Sequence, residues 1–124
     1  MIKEKYEALI KKLIDATDNG SVVWEKTSSK DEYQTKIGQN GVNVGYFDPE
    51  DLANSVLIWP NGSKPKLHYY LNIINSDGIE VDSEEREIND AGFEKLQTLY
   101  HEVRRKYLKV DETLDDILKN IPEI

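Results

Sequence analysis

Apolar residues change their spacing along the chain, and each change marks an element. Ile2, Tyr6, Leu9, Ile10, Leu13 and Ile14 recur on one face of a 3.6-residue period. This predicts an amphipathic first helix, stopped at Asn19-Gly20. Beyond Ser21 the period falls to two, and Val22, Val23 and Trp24 predict a short strand. Two alternating runs then flank Asn40-Gly41, the dipeptide best suited to a two-residue hairpin turn. With the turn there, Ile37 faces Val44 and Thr35 faces Tyr46. Tyr33, Thr35, Ile37, Val42, Val44 and Tyr46 then share one side.

The middle of the chain reads as more sheet. Asp48-Pro49-Glu50-Asp51 predicts a turn, extending as one helical turn to Ala53. Ser55 to Trp59 predicts a strand, and the proline-rich Pro60 to Pro65 a surface connection. Lys66 to Asn75 alternates with aromatic residues on both sides, as expected of a strand covered on both faces. Asp77-Gly78 predicts a second hairpin turn into Ile79-Glu80-Val81, and Asp82 to Glu87 reads as an acidic, solvated connection.

Helical spacing returns near the C-terminus. Phe93, Leu96, Tyr100, Val103 and Tyr107, with Leu99 beside them, form one stripe, and Asp90 is the expected N-cap. Leu114, Ile117, Leu118 and Ile121 form the stripe of a last helix, capped by Asp111 and ended by Pro122. The reading is a single α+β domain over 1–124. It has an N-terminal helix, an antiparallel meander of about five strands, and two C-terminal helices packed on one face of the sheet.

Composition narrows the setting. The chain has 124 residues, no cysteine and a formal net charge of −8. The length fits one core. The missing cysteines exclude disulfides and thiolate metal sites and fit a reducing cytoplasm. Met1-Ile2-Lys3-Glu4-Lys5 is charged where an export signal needs an apolar run, and no stretch is long enough for a membrane span. The acidic surplus disfavours phosphate backbones, so nucleic acid is not an expected partner.

The residues spell out no catalytic set, no cofactor site and no metal site. His68 and His101 lack the close spacing of ligand pairs. No serine lies in a Gly-x-Ser-x-Gly turn, and no glycine-rich phosphate loop occurs. Arg104-Arg105-Lys106 with Lys109 is the one basic cluster, placed where cations suit a helix C-terminus. Tyrosine is plentiful, at seven residues, and tyrosine and tryptophan suit both core edges and interfaces. The residues that would mark a binding site are therefore Trp59, His68, Tyr70, His101, Arg104 and Arg105.

Trp24-Glu25-Lys26, Leu96 to Tyr100 and Val110 to Leu118 give the chain a general resemblance to small bacterial proteins; apart from that resemblance, the expected source is a bacterium or a phage-like element. The resemblance implies no activity. The leading expectation is a non-enzymatic interaction or regulatory module, with a protein partner or a second copy of itself. The alternative is a small-ligand binder or enzyme with a pocket between sheet and helix.

Overall fold

A computed structural model describes residues 4–49 and 67–122. Helix α1 (Glu4–Asp18) leads into strands β1 (Glu25–Lys26), β2 (Glu32–Ile37), β3 (Asn40–Phe47), β4 (His68–Ile74) and β5 (Glu80–Glu87). Helices α2 (Phe93–Tyr107) and α3 (Val110–Asn120) follow. The five strands are antiparallel neighbours in chain order, β1-β2-β3-β4-β5. The fold is α+β, with an N-terminal helix, a meander sheet and two C-terminal helices. The part of the predicted turn from Glu50 to Ala53, the strand Ser55–Trp59, the loop Pro60–Pro65, and Ile2 of the first helix lie outside the described residues.

The core lies between one face of the sheet and helices α1 and α2. Ile10 and Leu13 of α1 meet Leu96, Leu99, Tyr100 and Val103 of α2 over Tyr33, Val42, Val44, Tyr69 and Leu71. Lys95 Nζ of α2 and Glu7 Oε1 of α1 pair at 2.6 Å on the rim. Burial of each large apolar side chain contributes about 1.5–3 kcal/mol, so this layer dominates the favourable terms.

The first hairpin keeps its predicted face and changes its register. Ile37 pairs with Asn40, Thr35 with Val42 and Tyr33 with Val44. The turn is Gly38-Gln39, and Asn40-Gly41 belong to β3. Gly38 has φ 64°, while Gln39 has no positive φ. That pattern, with glycine first, is the type II′ turn. Asn40 and Gly41 lack the positive φ a type I′ turn demands. Ile37 faces Asn40 rather than Val44, an even number of positions away. Tyr33, Thr35, Val42 and Val44 therefore remain on the core side, whereas a one-residue slip would turn them out. Ile37, at the hairpin end, is exposed.

Three other expectations are corrected. The first strand is Glu25–Lys26, not Val22–Trp24. Trp24 is held instead to the end of α1, where its buried Nε1–H donates to Thr17 Oγ1 at 3.0 Å. The Val23 carbonyl accepts from Thr35 Oγ1 at 2.7 Å. Those two bonds tie the segment down without strand pairing.

Asp82 to Glu87 is not a connection but most of β5, the sheet's long outer strand. Asp82, Glu84 and Arg86 sit opposite Ile73, Leu71 and Tyr69, so three charged residues occupy the core side of an edge strand. Partners accommodate them. Tyr6 Oη–H donates to Asp82 Oδ2 at 2.5 Å, and Arg86 pairs with the buried Glu84. Inward charges on an edge strand also discourage pairing with another sheet.

The helix caps differ as well. Gly92 (φ 87°) caps α2 and Lys109 (φ 54°) caps α3, neither through a side chain. Asp90 Oδ2 accepts the Glu87 N–H at 2.8 Å, which spends its cap on the preceding turn. Asp111 lies in the first turn of α3, where a carboxylate favours the positive helix end.

Candidate functional site

The residues expected to mark a site divide between opposite sides of the molecule. His68 and Tyr70 point from β4 to the sheet face away from the helices, while Tyr69 between them enters the core. His101, Arg104 and Arg105 ride on α2. Trp59 lies outside the described residues.

On the far sheet face, Tyr70 closes a small polar lock. Its Oη–H donates to Glu32 Oε2 at 2.6 Å, and Thr27 Oγ1–H donates to Glu32 Oε1 at 2.8 Å. The ring lies on Gly45, where an added Cβ would stand 2.1 Å from Cζ. Burial, then the Glu32 hydrogen bond and charge, push the Tyr70 hydroxyl well above the usual tyrosine range. A hydroxyl held neutral and already donating is a structural fastener rather than a proton donor in waiting. His68 stacks on Phe47 with ring centroids 5.3 Å apart. Asn43 Oδ1, on the same face, is buried without a hydrogen-bond partner, as is Arg86 Nε on the core side.

On the helix side, the tyrosine surplus is mostly core. Tyr69 lies 5.0 Å from Tyr46, 5.4 Å from Tyr100 and 5.3 Å from Phe93, ring centre to ring centre. Tyr33 joins through Tyr100 at 6.0 Å and Tyr107 at 5.1 Å. Burial raises the hydroxyls of Tyr6, Tyr33, Tyr69 and Tyr100 above their ordinary range, and Arg104 partly offsets this at Tyr33. His101 Nε2 sits 3.3 Å from Tyr69 Oη at the rim of this cluster. Arg105 is engaged elsewhere, pairing with Asp111 Oδ1 at 2.5 Å across the α2–α3 joint. No group of three or more His, Asp or Glu among the described residues is arranged to hold a metal ion. An open groove of about 610 Å³ runs between α1 and α2, lined by Ile10, Ile14 and paired charges such as Glu7 and Lys95. None of the expected site residues lines it.

The feature that residue types alone did not single out is helix α3. From Asp111 to Asn120 every residue is exposed. Its apolar stripe lies open, with Leu114 at 49%, Ile117 at 51%, Leu118 at 68% and Ile121 at 56% exposure. Tyr107 and Leu108, just before it, are exposed too. A helix of 11 residues is below the length of about 12–15 at which isolated helices become stable in water. The stripe itself was visible as Leu114-x-x-Ile117-Leu118-x-x-Ile121. Its lack of cover was not.

No helix among the described residues is long and apolar enough to cross a membrane. No family model, no curated protein and no solved structure matches the chain.

Proposed function

We propose that this chain is a non-enzymatic, cytoplasmic protein-interaction module and that α3 is its contact face. One observation carries the reading: α3 is amphipathic, yet none of its residues is buried. Elsewhere in the molecule the same kind of stripe is covered, as on α2, where Leu96, Leu99, Tyr100 and Val103 are buried. Helices draw most of their stability from covering such a face, so a helix with an open stripe has stability to gain from a partner. The cytoplasmic part of the reading rests on the absence of cysteine.

The test is site-specific photocrosslinking in the cells the protein comes from. A benzoylphenylalanine placed at Leu118 should yield discrete adducts. The same probe at exposed Lys12, on the solvent side of α1, should not. Equal adduct formation at the two positions would sink the reading.

A further inference from the structure

We infer that the α2–α3 joint is a hinge held by charge, and that the chain has a second state in which Phe93 to Asn120 form one continuous helix. The apolar spacing runs straight through the break. Leu96, Tyr100 and Val103 of α2 lead into Tyr107, Val110, Leu114, Ile117 and Ile121 at unbroken steps of 4, 3, 4, 3, 4, 3 and 4. Leu114 stands five whole turns after Leu96. Two separate helices need share no phase across a joint, yet these two spell the seam of a single long one.

The backbone at the break favours continuation. No Gly, Pro or Asn, the residues that usually end a helix, stands between Phe93 and Lys119. The turn falls on Lys109 at φ 54° and ψ 46°, a left-handed conformation that crowds the Cβ of every residue but Gly. No side chain caps the helix that follows. A continuous helix removes the crowding and gives the N–H groups of Val110, Asp111 and Glu112 the carbonyls of Lys106, Tyr107 and Leu108. The 11 residues of α3, too few for a stable helix alone, would then extend one already nucleated. Moving α3 uncovers nothing packed, because every residue from Asp111 to Asn120 is exposed. Tyr107 and Leu108 are exposed too, so α2 is already leaving the body where the extension begins.

Charge works the other way. Arg104, Arg105 and Lys106 lie in the last turn of α2, and Asp111 and Glu112 in the first turn of α3. That arrangement suits two helix ends and is wasted inside one helix. The Arg105–Asp111 pair spans the joint at 2.5 Å, and residues six apart on one helix share no face. These charges sit in solvent, where salt weakens them, whereas backbone crowding is not screened. Low salt therefore keeps the break and high salt straightens it. The hinge itself requires no partner.

The experiment measures one distance in the full chain. The protein has no cysteine, so Thr98→Cys with Lys119→Cys, both exposed positions, carries two spin labels and no others. Double electron–electron resonance, with excess unlabelled chain to remove distances between molecules, should show two populations. A continuous helix sets the backbone separation at ~32 Å, from a rise of 1.5 Å per residue, and the turn at Lys109 makes it shorter. The long fraction should rise ~3-fold or more between about 0.05 M and 1 M sodium chloride. Lys109→Ile should leave the long distance alone, because a β-branched residue is excluded from the left-handed region. Lys109→Gly should leave the short one, because glycine takes that conformation freely. Arg105→Gln with Asp111→Asn should raise the long fraction at low salt and flatten its salt dependence.

A short distance alone at every salt concentration, retained in Lys109→Ile, would overturn the second state. The long distance alone at low salt would overturn the charge-held break. A broad distribution without a peak near ~32 Å in Lys109→Ile would overturn the hinge in favour of an α3 that unravels. Lys109 is exposed, so each variant should keep the circular dichroism and denaturation midpoint of the body. Photocrosslinking at Leu118 reports on a partner and these distances report on the joint, so either reading can fail while the other stands.

Discussion

Helices α2 and α3 are consecutive, share the same kind of apolar stripe, and meet opposite fates. In α2 the stripe is sealed against α1 and the sheet, with Leu96, Leu99 and Val103 fully buried. In α3 it stays open. The joint between them accounts for the divergence. Lys109 takes a left-handed conformation, φ 54°, which breaks the helix and redirects the chain. After the turn, α3 keeps an ion pair to α2 but leaves its stripe uncovered. An apolar period thus tells which side of a helix wants covering, and only the surrounding chain tells whether it is covered. Helix α2 closes the core, whereas α3 leaves its stripe exposed.

The widest separation between the two regions should come from alkali. The tyrosines with raised hydroxyls, Tyr6, Tyr33, Tyr69, Tyr70 and Tyr100, belong to the sheet–α1–α2 body, and α3 has none. In the unfolded chain they ionise near pH 10, whereas in the fold they stay protonated at higher pH. The unfolded state therefore binds fewer protons above about pH 10, and stability falls as pH rises. Below that pH the contribution is whole. Each such tyrosine adds about 1.4 kcal/mol of loss per pH unit within its window, so the body should unfold cooperatively at high pH. Tyrosinate absorbance and loss of sheet circular dichroism should rise together. Smooth ionisation near pH 10 with circular dichroism intact would show that the body is looser than its burial implies.

Next in size is the core position Leu99. Leu99→Ala should cost about 2–5 kcal/mol in chemical denaturation, through lost burial and the cavity left behind. A cost below about 1 kcal/mol would place α2 nearer to α3 in character and break the contrast. Gly45→Ala probes the other face of the same body. A Cβ there would stand 2.1 Å from the Tyr70 ring, so the ring must move and release Glu32. The expected cost is about 1–3 kcal/mol, with loss of the hydroxyl's protection from ionisation. Restoring space with Tyr70→Ser in the Gly45→Ala background should remove most of the steric part, and additive costs would rule out the clash.

What the sequence made legible follows from what periodicity encodes. The stripes of α1 and α2 were readable because apolar side chains repeating every 3.6 residues line up on a helix and on no other regular element. The face of the β2–β3 hairpin was readable from alternation, but its turn was not. Asn40-Gly41 and Gly38-Gln39 both carry residues suited to a two-residue turn, and only the backbone shows that Gly38 bends. β5 was read as a connection because Asp82, Glu84 and Arg86 look solvated until their partners are known. Those partners include Tyr6, 76 positions from Asp82. Of the expected site residues, the basic pair proved local: Arg104 adjoins Tyr33 and Arg105 adjoins Asp111. Residue type marked them, and it could not foretell a contact made by a neighbouring helix.

The smallest effect is the most discriminating. Leu118→Ala should change the stability of the isolated chain by no more than about 0.5 kcal/mol, because an exposed side chain gives up little contact on truncation. Set beside the loss at Leu99, this would mean that two leucines in similar stripes differ several-fold in what they hold together. If α3 is there to meet a partner, the energy missing from Leu118 in the free chain should return in the complex. Leu118→Ala should then weaken partner binding by ~10-fold or more while leaving the denaturation midpoint in place. Denaturation of the free protein measures the first half. A Leu118→Ala cost comparable to Leu99→Ala would show instead that α3 already shares in the core.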